Sequence, residues 1–153
     1  MKRITNYITE KLQIGSNTKL GDKYSYRPKT KDELKKLVKQ LIKERGNEAD
    51  LNDIDVSKIT DMSYLFYDSD FNGDISNWDV SNVTNMCGMF DRAEFNGNIS
   101  VWDVSNVTDM RYMFYKAKFN RDIFDWDVSN VTNMGSIFEG SPLEKNPPKW
   151  YKK

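Results

Sequence analysis

The stretch Trp-Asp-Val-Ser-Asn-Val-Thr-Asn-Met occupies residues 78–86 and decides how the chain folds. It returns with one change at residues 102–110 and unchanged at residues 126–134, and a weaker version precedes it at residues 54–62. The step from one version to the next is 24 residues each time. Repetition at a fixed period of about 20 to 50 residues is typical of proteins built from stacked units. The sequence therefore predicts about four stacked units.

Several positions of the 24-residue period are apolar in every copy, and they predict the core. One unit cannot bury so many apolar side chains by itself, whereas stacked units bury them as continuous ladders. The predicted structural core of the repeats consists of Trp78, Trp102 and Trp126, of Met62, Met86, Met110 and Met134, and of Phe66, Phe90, Phe114 and Phe138.

Local patterns give each unit an expected shape. The helical spacing from Met86 to Phe90 predicts a short helix, with Thr84 as the residue that caps it. The turn residues at 72–73 precede a brief strand predicted around Ile75. We therefore expect an α/β solenoid, a leucine-rich-repeat-like stack of about four 24-residue units with short parallel strands and short helices.

A helical segment is predicted before the repeats. Thr30 and Glu33 form a capping box, and apolar residues three and four apart predict a helix that runs to about Arg45 and ends at Gly46. A second amphipathic helix is predicted over residues 3–12. Residues 1–49 are therefore expected to form an N-terminal helical cap on the repeats.

The segment after the repeats is expected to cover the last unit. Leu143 falls one step after Phe119, and Trp150 falls one step after Trp126. Three prolines in the same segment remove amides that further pairing would need. The predicted organisation is thus a four-repeat body at residues 50–141, between the N-terminal cap and a C-terminal cap at residues 142–153.

Charge is distributed unevenly although the net charge is zero. Residues 1–49 hold thirteen basic and six acidic residues, whereas residues 50–141 hold six basic and sixteen acidic ones. An acidic repeat body argues against nucleic acid as the partner. The lysines of the predicted helix, Lys31, Lys35, Lys39 and Lys43, suit either a solvated helix face or contact with a polyanion.

The residue types needed for common catalytic and metal sites are largely missing. The chain has no histidine and one cysteine, Cys87, which we expect to be a surface or near-surface thiol. We predict no enzymatic activity, no catalytic residue, no metal site and no cofactor. The column Asp55, Asp79, Asp103 and Asp127 could ligate calcium, but we favour turn hydrogen bonds to nearby backbone amides, because calcium loops need more oxygen ligands and usually glycine.

Positions where the copies disagree are free to recognise a partner, because stacking does not dictate them. Exposed aromatic and apolar side chains are typical anchors of protein interfaces. The candidate partner-binding surface consists of Tyr64, Tyr67, Tyr112, Tyr115, Val101 and Phe124. Scattered surface aromatics that bind nothing are the alternative interpretation.

The repeated nine-residue word, the Met-Phe pairs and the motif Phe-Asn-Gly-(Asp/Asn)-Ile-Ser resemble the BspA-type leucine-rich-repeat family. The resemblance covers about residues 50–150 and is closest to short bacterial or phage members. It implies an α/β solenoid with a parallel sheet on one side. Large exported members of the family are similar to adhesins that bind host proteins.

These observations lead us to expect a non-enzymatic repeat protein that mediates protein–protein interaction as a monomer. A structural or virion-associated component of a phage or mobile element and a surface adhesin-like protein are the alternatives. No stretch is apolar enough to predict a signal peptide or a membrane span, which favours a cytoplasmic location. An exported or virion location stays open.

Overall fold

A computed structural model describes residues 22–153, and the helix predicted over residues 3–12 lies outside them. The described chain forms one α-helix, α1 (Lys31–Arg45), and one 3-10 helix, Pro142–Glu144. Between them the four copies of the 24-residue unit stack on one another. We number these copies 1 to 4 at residues 50–73, 74–97, 98–121 and 122–141.

The helix predicted before the repeats is present with the expected ends. The Thr30 hydroxyl accepts a hydrogen bond from the Glu33 amide at 3.2 Å, and the Glu33 carboxylate accepts one from the Lys29 amide at 2.7 Å. The chain leaves α1 at Gly46, whose φ of 92° favours glycine. The buried face of α1 packs against copy 1 through Leu34, Leu37, Val38 and Leu41.

The predicted α/β solenoid of stacked strands and helices is wrong. Residues 22–153 contain no β-strand, and the strand-type pairing between neighbouring copies is limited to isolated parallel bridges such as Asp50 with Asp74 and Asp61 with Asn85. No α-helix forms within the copies either. Each copy is instead a succession of turns.

Three side-chain-closed turns in each copy explain why no strand extends. In copy 2 the carboxylate of Asp74 accepts from the Ser76 amide at 2.9 Å, and that of Asp79 accepts from the Ser81 amide at 3.1 Å. The side chain of Asn85 accepts from the amide two residues further on at 2.9 Å. Each of these turns redirects the backbone and occupies an amide that a strand would offer to a neighbour, so no continuous strand forms.

The segment predicted as a short helix forms two turns that contain left-handed residues. Tyr64 and Asp68 have φ values of 56° and 51°, and the equivalent residues of the other copies also have positive φ. The Tyr64 amide consequently donates to the Cys87 carbonyl of copy 2 at 2.9 Å, while the Leu65 amide donates within copy 1 to the Met62 carbonyl at 3.3 Å. An α-helix would direct both amides along its own axis.

The threonines predicted as helix caps connect neighbouring copies instead. The Thr84 amide donates to the Thr60 carbonyl at 2.8 Å, and the Thr108 amide donates to the Thr84 carbonyl at 2.8 Å. Their hydroxyls donate to the same carbonyls at 3.3 and 3.2 Å. The threonine column is therefore part of the stack because there is no helix for it to cap.

Aromatic ladders fill the core of the stack. The rings of Phe66, Phe90 and Phe114 follow one another at 5.6 and 5.7 Å with nearly parallel planes. Each buried tryptophan adds a hydrogen bond to the preceding copy, as when Trp102 Nε1 donates to the Ile75 carbonyl at 3.2 Å. The predicted core residues are buried except Met134, which is half-buried because no further copy covers copy 4.

The C-terminal segment continues these ladders over part of copy 4. Trp150 Nε1 donates to the Ile123 carbonyl at 2.9 Å, in the position that the indoles of the earlier copies take. Leu143 is buried, and the ring of Tyr151 meets that of Phe138 edge-on at 5.2 Å. The 24-residue period therefore continues beyond the last recognisable repeat.

Replacement of Trp102 by alanine should lower the free energy of unfolding by about 3–5 kcal/mol, because the change leaves a cavity and removes the indole hydrogen bond. Urea unfolding followed by circular dichroism measures the loss. The neighbouring Val101, which is 75% exposed, gives a matched control, and Val101→Ala should change the free energy by less than about 0.5 kcal/mol. Equal losses in the two variants would contradict the ladder arrangement.

Candidate interaction surface

The candidate residues fall into two variable segments of the copies. Tyr64, Tyr67 and Tyr112 are 40%, 50% and 41% exposed. Tyr115 was predicted to be exposed as well, but it is half-buried. Val101 and Phe124 are exposed in the other variable segment, next to the tryptophan of each copy. Among the described aromatic contacts, none joins Phe124 to a tyrosine. We call the surface formed by the four tyrosines the tyrosine face.

The tyrosine face consists of two similar pairs separated by one copy. The rings of Tyr64 and Tyr67 meet edge-on at 6.1 Å, and those of Tyr112 and Tyr115 meet edge-on at 5.8 Å. Edge-to-face contact is a favoured arrangement of aromatic rings. Both pairs are thus ordered before any partner arrives, which lowers the entropy cost of binding.

Two of these tyrosines occupy a backbone conformation that a large side chain disfavours. Tyr64 and Tyr112 both have φ of 56°, and the equivalent residues of copies 2 and 4 are Gly88 and Ser136. A left-handed residue other than glycine costs roughly 1–2 kcal/mol. Since Gly88 satisfies the same backbone position without that cost, the fold does not require tyrosine there.

The ring of Tyr64 occupies the space next to Gly88 that a side chain at this position would need. A Cβ on Gly88 would lie 2.2 Å from the ring of Tyr64. The hydroxyl of this tyrosine is 3.6 Å from the sulfur of Cys87, a buried thiol that the sequence predicted near the surface. The hydrogen bond with Cys87 raises the pKa of Tyr64 to about 12, so this phenol ionises less readily than an ordinary tyrosine.

Gly88→Ala should lower the free energy of unfolding by about 1–3 kcal/mol, since the new methyl meets the Tyr64 ring and the backbone is left-handed. The loss should shrink to about 1 kcal/mol in a Tyr64→Ala background, where only the backbone strain remains. Gly135→Ala is the matched control, because a Cβ there would have no neighbour closer than 3.5 Å. Urea titrations of the variants test this, and an undiminished loss in the double variant would contradict the contact.

A buried carboxylate oxygen without a hydrogen-bond partner lies between the two tyrosine pairs. Asp91 occupies the position that Tyr67 and Tyr115 hold in copies 1 and 3, and it is 9% exposed. Its buried Oδ1 accepts no hydrogen bond within the described part of the chain, and the nearest cation is Arg92 Nε at 3.6 Å. Burial raises the pKa of Asp91 above its ordinary value.

Asp91→Asn should gain stability relative to the native chain as pH rises from about 4 to 7. A raised pKa means that protonated Asp91 stabilises the fold at low pH, and that this contribution is lost as the carboxyl ionises. Asp74 provides the opposite case, because the Ser76 amide lowers its pKa. Asp74→Asn should therefore lose relative stability as pH rises from about 2 to 4, below the range that tests Asp91. Urea unfolding at the two ends of each range decides, and shifts of equal sign would contradict the assignment.

Cationic side chains accompany the second tyrosine pair. The Arg92 guanidinium is 6.0 Å and the Lys116 Nζ is 5.1 Å from the ring centre of Tyr115. A cation within about 6 Å of an aromatic face is attracted by the ring. These contacts hold the ring of Tyr115 against the protein, so that it is less exposed than Tyr67. The ring of Tyr67 has no such partner among the described residues.

A cavity of about 330 Å³ separates α1 from the first tyrosine pair. Val38, Ile42 and Leu65 contribute apolar walls, and Lys35, Lys39, Tyr64 and Tyr67 line the opening. Sequence reasoning missed this cavity because it joins segments more than 20 residues apart. A usable signal was that Lys35 and Lys39 are one turn apart and adjoin the apolar stripe of α1.

The aspartate column considered for calcium is explained by its own turns. The side chains of Asp55, Asp79 and Asp103 each accept hydrogen bonds from the amide and the hydroxyl of the serine two residues on, the latter at 2.6 Å. Over residues 22–153, no group of three or more His, Cys, Asp or Glu side chains is placed to hold a metal ion.

A protein family matches most of this chain. Residues 33–150 match the family described as "Mycoplasma protein of unknown function, DUF285". The chain belongs to this family. The DUF285 match begins within α1, spans all four copies and ends at Trp150, so helix and stack are parts of one family unit. No curated protein and no solved structure matches the sequence.

The sequence predicts no membrane span. None of the helices formed by residues 22–153 is long and apolar enough to cross a bilayer. The resemblance to BspA-type proteins stays a prediction, since membership of the DUF285 family does not test it.

Proposed function

We propose that this DUF285 protein is a non-enzymatic repeat protein that binds a partner protein through its tyrosine face. The observation that supports this most is the placement of Tyr64 and Tyr112 at left-handed backbone positions. Strained residues persist where their side chains have a use that offsets the strain. Copies 2 and 4 hold glycine and serine at the same positions, so the backbone of the stack does not require a tyrosine ring there.

The chemistry of the tyrosine face suits a protein partner. Tyrosine presents a large rigid ring and a polar hydroxyl, and it is enriched among the residues that dominate binding energy. Arg92 and Lys116 lie beside the second pair and supply charge at the rim. The face thus combines apolar anchors with polar groups that fix the orientation of a partner.

Roles as a virion component or as a surface adhesin stay predictions, because no contact among the described residues favours either. The covered end of the stack argues against growth into a filament from that side: α1 packs over copy 1 and Lys31 contacts Ser63 and Asp61 there. A second copy of the chain would have to displace the helix before it could add to copy 1.

Affinity capture tests the proposal. Immobilised full chain should retain a protein from a lysate of the native host, and the purified partner should bind in solution. A variant with Tyr64→Gly, Tyr67→Ala, Tyr112→Ser and Tyr115→Ala should lose at least a hundredfold in affinity, because single anchor tyrosines often contribute more than 1 kcal/mol. Two of these replacements are residues that other copies already use, so the stack should persist.

The matched control is a Val101→Ala, Phe124→Ala variant, which removes exposed apolar side chains from the other variable segment. It should bind within about threefold of the native chain. Unchanged binding of the tyrosine variant, or an equal loss in the control, would refute the proposal. A steep loss of affinity with salt in both variants would favour a polyanion contact instead.

A further inference from the structure

The cavity between α1 and copy 1 has the composition of an anchor pocket. Its walls are apolar, with buried Val38 and Leu65 and half-buried Ile42. Exposed Tyr64 and Tyr67 border it on the side of the stack. A volume of about 330 Å³ is near the lower limit of ligand pockets, roughly 300 Å³. It therefore suits one large apolar side chain better than an extended organic ligand.

The opposite border of the cavity carries two lysines without ionic partners among residues 22–153. Lys35 and Lys39 are exposed and line the cavity, whereas Lys31 on the same helix face pairs with Asp61 at 3.6 Å. Residues four apart on a helix are neighbours, so the two ammonium groups repel each other. An anionic group placed between or beside them removes that repulsion.

We infer that this cavity binds an acidic peptide segment that inserts one large apolar side chain between α1 and Tyr67. The inference rests on the proposed function and names the partner chemistry for the first half of the tyrosine face. The apolar side chain is buried against Val38, Ile42 and Leu65. Carboxylates on either side of it contact Lys35 and Lys39, which lie about 6 Å apart along the helix axis.

The same groups argue against other anionic partners. The acidic repeat body begins immediately beside the cavity, so a nucleic acid duplex would meet repulsion along most of its length. A flat anionic membrane would leave a concave apolar cavity unfilled. A short acidic segment avoids both costs because its contact is confined to the border of the cavity.

Peptide selection on the full chain tests the inference. A phage library of random 12-residue peptides is panned against the immobilised protein at low salt, and selected peptides are synthesised for fluorescence anisotropy. We expect enriched peptides to combine Asp or Glu with one large apolar residue. The affinity of such a peptide should fall at least tenfold in Lys35→Glu, Lys39→Glu and separately in Tyr67→Ala, and should weaken as salt rises.

A control with the same change of charge distinguishes local contact from bulk electrostatics. Lys36→Glu, Lys149→Glu alters two exposed lysines that do not line the cavity. Its peptide affinity should stay within about threefold of the native chain. An equal loss in the two charge-reversal variants would overturn the inference, as would enriched peptides that lack acidic residues.

Failure of the inference is distinguishable from failure of the proposed function. Peptides that lose affinity in Tyr112→Ser, Tyr115→Ala but not in Lys35→Glu, Lys39→Glu would overturn the inference and leave the tyrosine face as the binding surface. No enrichment, or binding independent of all four tyrosines, would overturn both. Vesicles of phosphatidylserine and phosphatidylcholine are titrated in parallel. Lysine-dependent binding to them, without peptide binding, would replace the acidic peptide by a membrane surface.

Discussion

The direction of alternate backbone amides holds this protein together. In copy 1 the amides of Met62, Tyr64, Phe66 and Asp68 donate to carbonyls of copy 2, while the amides between them donate within their own turns. The alternation requires left-handed residues at fixed places in each copy. Ladders of phenylalanine and tryptophan follow from it, because equivalent side chains are brought above one another at every step.

The sequence predicts the period and the core far better than the local backbone. A fixed 24-residue step identifies which side chains must be equivalent, and burial of those side chains requires only that copies stack. The helix α1 is predictable for a different reason, since its cap, apolar face and glycine end are all local signals. These features do not depend on how the backbone turns inside a copy.

The backbone of the copies is not predictable by the same reasoning. Apolar residues at 86, 89 and 90 have helical spacing, but two successive turns with left-handed residues place the same side chains inward. Several of the left-handed positions hold tyrosine, arginine or lysine. These residue types do not indicate a positive φ, since glycine is the residue that normally marks such positions. The strand around Ile75 fails because an aspartate before it and a serine after it close a turn.

The stack also has a polarity that differs between segments: alternate amides of the two-turn segment donate to the copy that follows, whereas the threonine amides and the indoles donate to the copy that precedes. An inserted unit of 24 residues continues this exchange at any junction, whereas an insertion of another length displaces every donor beyond it. The tyrosine pairs recur after two copies, at 48 residues. Gain or loss of a single unit therefore leaves the core intact but changes the spacing of the pairs, so unit number and surface pattern can diverge independently.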